Sequence, residues 1–256
     1  MLSKNFVKIT LTAGLLLSSV LVLTRLSTTE SVAKAIGAEA ALNGGSVTGI
    51  VSFPEEYPEK QKITITKDQQ VCGAFQYSEV FVVSEDNHGL KNVVITLVDA
   101  EGEKKSGGGQ TATLNQEGCR YIPHVQALPV GTELEILNND GILHNVHAYF
   151  DGLDPKNTVF NKAQPKFLKK ITQKLDKVGT YYFKCDVHDH MSAYIAVMDH
   201  PFYAVTDESG KFTITDVSPG SYKVRAWHEA LGTLEKEVIV EAGKAAEVNF
   251  EILPNE

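Results

Sequence analysis

The chain has 256 residues, of which 43% are hydrophobic and 22% charged, and these values exclude wholesale disorder. Its formal net charge of -8 argues against a nucleic-acid-binding protein, because no broad basic surface is available to neutralise phosphates. Three cysteines allow at most one intramolecular disulfide and leave one thiol over.

The N-terminus has the pattern of an export signal. Two lysines precede an uncharged run over residues 9–23, which is long enough for a signal peptide and short for a membrane span. Small-x-small sites at residues 33–35 and 38–40 lie rather far beyond this run, so residues 1–35 are either a signal peptide or an uncleaved N-terminal anchor. We expect a periplasmic or otherwise exported protein that meets the membrane only through this segment, if it is retained.

Alternating and β-branched stretches separated by turns dominate the chain beyond residue 44, and they predict an all-β protein. Strands are expected within residues 45–53, 93–98, 133–136, 181–185, 212–214, 222–224 and 238–240. Short strands with Gly, Pro and Asp turns are typical of β-sandwiches and small barrels. After the N-terminal apolar helix, the only helix expected is a short one within residues 151–170, and residues 102–111 are predicted to be a flexible linker or loop.

The stretch from Cys185 to Met191 places a thiolate, the imidazole of His188 and a thioether on one tight loop after a predicted strand. This donor set suits copper, because thiolate, imidazole and a weak thioether are acceptable to both Cu(I) and Cu(II). One loop cannot close such a site, so a second imidazole is needed. Residues 143–147, Leu-His-Asn-Val-His, supply candidates upstream.

These motifs resemble those of the cupredoxins, the plastocyanin and amicyanin type of blue copper domain. The resemblance covers residues about 118–200, in a predicted domain of residues 112–200, and its Cys-x2-His-x2-Met loop is similar to that of amicyanin. It also includes Val130–Asn139, His144–Val146 and Gly179–Cys185. It implies a Greek-key sandwich or barrel.

By this resemblance, one type 1 copper ion has His144, Cys185 and His188 as equatorial ligands and Met191 as a weak axial ligand. Asn145 would tie the two ligand loops together. Cys72 and Cys119 lie outside the copper motif in turn-like contexts, and in an oxidising compartment they are expected to form a disulfide.

The loop departs from the family pattern at two positions. Asp189 and His190 stand where amicyanin-like loops usually carry a proline and an aromatic residue, so His190 could compete for the axial position. His147 is an odd step from His144 and should face the other way on a regular strand. We interpret His147 as structural or as a partner of a group outside the ligand set, with metal contact as the alternative. We interpret His124 as hydrogen-bonded.

Residues 203–252 resemble carboxypeptidase regulatory-like, transthyretin-type sandwiches, through Val205–Phe212 and the turn and strand that follow. Such proteins usually open with a Gly-x-Val-x-Gly-x-Val strand, and one stands at Gly45–Val51. We therefore expect residues 44–101 and 201–256 to form one smaller sandwich, split by the inserted cupredoxin domain. Three consecutive units are the alternative. The combination resembles exported methylamine utilisation-like proteins.

The resemblance implies an electron carrier in which Cys185 is the electronic path and His188, near the surface, is the exit to a partner. Four protein ligands would leave no open position for water, so no enzymatic role is expected. Residues 36–256 carry 20 basic and 31 acidic residues, a net charge of -11, which suggests a basic redox protein as partner. The alternatives are a copper storage or delivery protein and a surface-binding module.

Overall fold

The computed structural model describes residues 44–54, 59–98, 100 and 107–253. The predicted signal peptide or anchor, residues 1–35, and its apolar helix lie outside these ranges. None of the helices in the described ranges has the length and apolar character that crossing a bilayer requires. The described chain is nearly all β, as predicted, and its strands form several sheets.

Each predicted strand region contains an observed strand. Numbered along the chain, the strands are β1 (Gly45–Ser52), β2 (Lys62–Thr64), β3 (Phe75–Tyr77), β4 (Val94–Val98), β5 (Thr111–Gln116), β6 (Tyr121–Ile122), β7 (Val125–Pro129), β8 (Glu133–Asn138), β9 (His144–Phe150), β10 (Thr158–Gln164), β11 (Lys170–Lys174), β12 (Gly179–Lys184), β13 (Ser192–Met198), β14 (Tyr203–Val205), β15 (Lys211–Val217), β16 (Gly220–His228), β17 (Gly232–Val240), β18 (Ala245–Glu247) and β19 (Phe250–Glu251). One short α-helix, α1 (Gln69–Cys72), and one 3-10 turn, Pro155–Asn157, complete the regular structure of the described residues.

One local expectation needs correction. The sequence predicts no helix between the N-terminal segment and residue 151, yet α1 is the next element after β2, as a four-residue turn too short to show a helical period. The predicted flexible linker or loop, residues 102–111, is described from Gly107, where the chain forms a turn. The amide of Gly107 donates to the carbonyl of Val130 at 2.6 Å, and Thr111 already begins β5.

One sandwich, which we name the flanking sandwich, contains strands from both ends of the described chain. Its sheets have the orders β15-β1-β18, with β19 also paired to β1, and β14-β4-β16-β17. Val51, Ile95 and Phe250 lie in the core between them. β1 runs very close to the segment that joins β18 to β19. A Cβ at Gly49 would lie 1.9 Å from the carbonyl oxygen of Val248. Only glycine fits at that position.

The other sandwich, which we name the central sandwich, packs a sheet of order β10-β9-β12-β13-β7 against one of order β11-β8-β5-β6. The alternation of buried and more exposed residues along its strands explains its core. In β8 the buried residues are Leu134, Ile136 and Asn138, and in β12 they are Tyr181 and Phe183, while the residues between them are more exposed. The two sheets therefore bury one face each, as expected for strands with a period of two.

Residues 62–77, comprising β2, α1 and β3, form a small unit that we name the cap. The predicted domain boundaries assign these residues to the flanking sandwich, yet Ile65 and Cys72 pack into the core of the central sandwich. The predicted disulfide between Cys72 and Cys119 is formed, with the two Cα atoms 5.1 Å apart. The apolar side chains of the cap and this bond attach it to the sandwich that carries the copper motif.

Candidate metal centre

Cys185 follows β12 on the strand face that also carries Tyr181 and Phe183, so its thiol points into the central core and is 1% exposed. The loop that begins there is tight. The amide of Cys185 donates to the carbonyl of Met191 at 3.3 Å, and the amide of Met191 donates to the carbonyl of His188 at 3.0 Å. The loop thus holds the thiol and the imidazole of His188 at one end of the sheet.

His144 is the first residue of β9, which is the antiparallel neighbour of β12 in the same sheet. The start of β9 therefore adjoins the end of β12, and His144 meets Cys185 across the strand boundary. The side chain of His144 is fully buried. Neighbouring antiparallel strands thus bring together donors that are 41 residues apart in the sequence.

Three of the predicted ligands come within contact distance of one another. The Nδ1 atoms of His144 and His188 are 3.1 Å apart, and the Sγ atom of Cys185 lies 3.9 Å from the first and 3.7 Å from the second. All three side chains are buried. This arrangement is a three-donor cluster that a single metal ion can bridge.

The spacing of these donors fits a first-row metal ion. Bonds of about 2.0 Å to imidazole and about 2.3 Å to thiolate, the values for zinc, place trigonal donors roughly 3.5 Å (N to N) and roughly 3.7 Å (N to S) apart. The observed separations of 3.1, 3.7 and 3.9 Å are close to these. Two imidazoles and one thiolate in a trigonal set are typical of blue-copper sites. Met191, predicted as the axial ligand, is 1% exposed and packs in the same core cluster as Cys185.

The outer nitrogens of both imidazoles are bound by carboxylates that sequence patterning did not single out. Asp140 Oδ2 lies 2.7 Å from His144 Nε2, and Asp68 Oδ2 lies 3.0 Å from His188 Nε2. Such partners fix the tautomer that leaves Nδ1 free for a metal, and they raise the basicity of the imidazole ligand. Asp140 could have been found, because it lies four residues before a candidate ligand, whereas Asp68 is 120 residues from its partner.

The electrostatics of the cluster favour the metal-binding form of the thiol. Burial raises the pKa of Cys185, but hydrogen bonds from His144 and from backbone amides, including that of Asn145, outweigh it and hold this pKa below its ordinary value. Burial lowers the pKa of His144, yet hydrogen bonds to Asp140 and Cys185 raise it to about 9. A metal must therefore displace a proton from His144, so we expect binding to release protons and to weaken as the pH falls.

Asn145 connects the two ligand loops. Its amide donates to Cys185 Sγ at 3.3 Å, and its side-chain oxygen accepts from the amide of Asp186 at 3.2 Å. His147 points away from the donor cluster, as expected for an odd step along the strand. Its ring nitrogens contact Asp186 Oδ2 at 3.0 Å and Thr158 Oγ1 at 3.1 Å.

The other two histidines near the site also have their own partners. His190 Nε2 lies 3.1 Å from the carbonyl oxygen of Cys119, and its ring centroid is 6.1 Å from that of His188. His124 Nε2 bonds to Glu229, and its Nδ1 lies 3.0 Å from the carbonyl oxygen of Ser192. Neither belongs to the three-donor cluster.

His188 is expected to lie near the surface, and the structure places it directly beneath the cap, with an exposed fraction of only 2%. Asp68 occupies the position over its outer nitrogen, and Lys67 Nζ donates to the carbonyl of Val187 at 3.1 Å. The outer edge of His188 therefore lies behind a carboxylate that is itself 36% exposed.

Comparisons with known proteins found similarity over parts of the chain. A model of the carboxypeptidase regulatory-like domain matches residues 192–253. Amicyanin from Paracoccus versutus is 17% identical and covers 40% of this chain and 96% of its own, with a TM-score of 0.30. A reduced amicyanin mutant is 17% identical and covers 40% and 97%, with a TM-score of 0.31. A copper-containing nitrite reductase from Thermus scotoductus is 22% identical and covers 35% of this chain and 23% of its own, with a TM-score of 0.29. No curated protein matches this chain.

Proposed function

We propose that this protein is an exported type 1 copper protein that carries single electrons between redox partners. The proposed equatorial ligands are His144, Cys185 and His188, and Met191 is the proposed weak axial ligand. The observation that carries the proposal is the buried cluster of two imidazole nitrogens and one sulfur within 3.9 Å of one another. Copper bound there would supply a one-electron change between Cu(I) and Cu(II).

The surrounding residues would hold these donors in one arrangement for both oxidation states. Asp140 and Asp68 orient the two imidazoles, and the amide of Asn145 donates to the sulfur. A buried and hydrogen-bonded set of ligands has little freedom to rearrange, so the energy needed for reorganisation during electron transfer stays small. Four protein ligands also leave no position for a substrate water, which supports a carrier and not an enzyme.

The proposed partner is a basic redox protein. The chain beyond residue 35 has 20 basic and 31 acidic residues, and long-range attraction steers association between surfaces of opposite charge. Nucleic acid is not proposed as a partner, because the same excess of acidic residues would repel its phosphates. Any membrane contact would come through the N-terminal segment, which also carries the proposal of export.

A copper storage or delivery protein is the second candidate. It is favoured by one observation, the burial of His188 beneath the cap. A ligand covered by protein slows electron exchange and favours retention of the ion. Rapid oxidation and reduction of the bound copper by a small redox reagent would support the carrier. A tightly bound ion that exchanges electrons slowly would support storage or delivery.

The deciding experiment is addition of Cu(II) to the purified protein while the visible spectrum is recorded. We expect an intense blue absorption from the thiolate-to-copper transition and its loss in Cys185→Ser. His190→Asn is the matched control, because His190 lies in the same loop with its ring on the carbonyl of Cys119, and this variant should remain blue. A colourless wild-type complex, or an absence of copper binding, would contradict the proposal.

A further inference from the structure

The cap makes direct contact with the proposed ligand loop at several points. Asp68 Oδ2 bonds to His188 Nε2 at 3.0 Å, and Lys67 Nζ donates to the carbonyl of Val187 at 3.1 Å. The sulfur atoms of Cys72 and Cys119 and a ring nitrogen of His188 all lie within 4.8 Å of one another. The disulfide therefore fastens the cap immediately beside this imidazole.

The backbone holds Asp68 in place. Asp68 has φ 49° and ψ 37°, a left-handed conformation that Asp and Asn adopt more readily than most residues. Its carbonyl accepts hydrogen bonds from the amides of Val71 and Cys72 at 2.8 and 2.9 Å, which close the turn of α1. Because α1 ends at the disulfide, the carboxylate is tied to the central sandwich through a short and ordered path.

We infer that Asp68 is a positioning residue for the metal centre, and this inference rests on the proposed function. Its carboxylate holds the outer nitrogen of His188, so that Nδ1 faces His144 Nδ1 and Cys185 Sγ, where the metal would bind. A negative charge against the back of an imidazole ligand stabilises Cu(II) more than Cu(I), since the divalent ion draws more charge from the ligand. Asp68 thereby lowers the reduction potential of the centre.

The test compares Asp68→Asn with wild type in Cu(II) affinity, Cu(I) affinity and reduction potential. Asn removes the charge and tolerates the left-handed backbone, so the fold should be retained. Mutation of an outer partner of a ligating histidine typically costs about 10–100-fold in metal affinity. We expect at least a tenfold loss for Cu(II) relative to Cu(I), which corresponds to a potential raised by about 59 mV for a one-electron couple.

The matched control is Asp189→Asn, which removes one negative charge from the exposed residue next to His188. It should leave the potential close to that of wild type, since distributed surface charge is screened. A chelator should also remove copper faster from Asp68→Asn than from Asp189→Asn.

The outcomes separate the two proposals. A blue wild type with a raised potential in Asp68→Asn alone supports the inference. A blue wild type whose two variants have equal potentials overturns the inference and leaves the proposed function standing. A wild type that is never blue overturns both.

Discussion

Replacement of both Cys72 and Cys119 by alanine is expected to lower the free energy of unfolding by about 4 kcal/mol, because the bond closes a long loop in the unfolded chain. The two cysteines are 47 residues apart in the sequence, and loop closure over this length gives that magnitude. Alanine is preferred to serine, since both positions are buried and a hydroxyl there would need a hydrogen-bond partner.

The measurement is urea unfolding of the metal-free protein, followed by fluorescence. Cys185→Ala is the matched control, because it removes a buried sulfur without opening a covalent loop. The double variant should lose more stability than this control, and metal-free wild type treated with a dithiol should approach the double variant. An unfolding midpoint in the double variant equal to that of the control would contradict the loop-closure account.

Period-two burial is local, so most of the fold could be predicted from the sequence. The alternation in β8 and β12 marks Leu134, Ile136 and Phe183 as core residues, and the structure buries all three. The disulfide was also predictable, because only two cysteines lay outside the copper motif. The donor set was predicted from the family resemblance of its two motifs. The structure places His144 at the start of β9, Cys185 just after β12, and His188 in the loop that follows.

The environment of the donors could not be predicted in the same way. Asp68 reaches His188 only because the cap leaves the flanking sandwich and packs on the central one, and no periodicity in residues 62–77 encodes that choice. The coverage of His188 by the cap has the same origin. The resemblance implied a ligand near the surface, and a carboxylate 120 residues away in the sequence lies over it.

The junction between the two sandwiches contains a buried ion pair that sequence patterning missed in the same way. His124 lies just before β7 of the central sandwich, and Glu229 lies just after β16 of the flanking sandwich. Their side chains are only 4% and 6% exposed and are hydrogen-bonded to each other. Since His124 Nδ1 also faces the carbonyl oxygen of Ser192 at 3.0 Å, both ring nitrogens have acceptors, which suits a charged imidazolium.

Glu229→Gln is expected to lower the free energy of unfolding by about 3–5 kcal/mol at about pH 6, the cost of breaking a buried pair by removing one charge. Burial lowers the pKa of His124, but the hydrogen bond to Glu229 outweighs it, so the pKa is raised above its ordinary value. The stabilisation from this group is therefore fully present below the unfolded pKa of about 6.5 and is lost as the pH rises through the folded pKa.

The effect of Glu229→Gln should thus shrink between about pH 6 and about pH 9, as the imidazolium loses its proton. Urea unfolding of wild type and variant at both values measures this difference, and groups shared by the two proteins cancel in the comparison. Glu235→Gln is the matched control, because Glu235 pairs with Arg225 on the surface, where ion pairs contribute about 0–1 kcal/mol. A loss for Glu229→Gln that is equal at both pH values would mean that His124 is neutral in the folded protein, and the junction would then be held by packing and neutral hydrogen bonds.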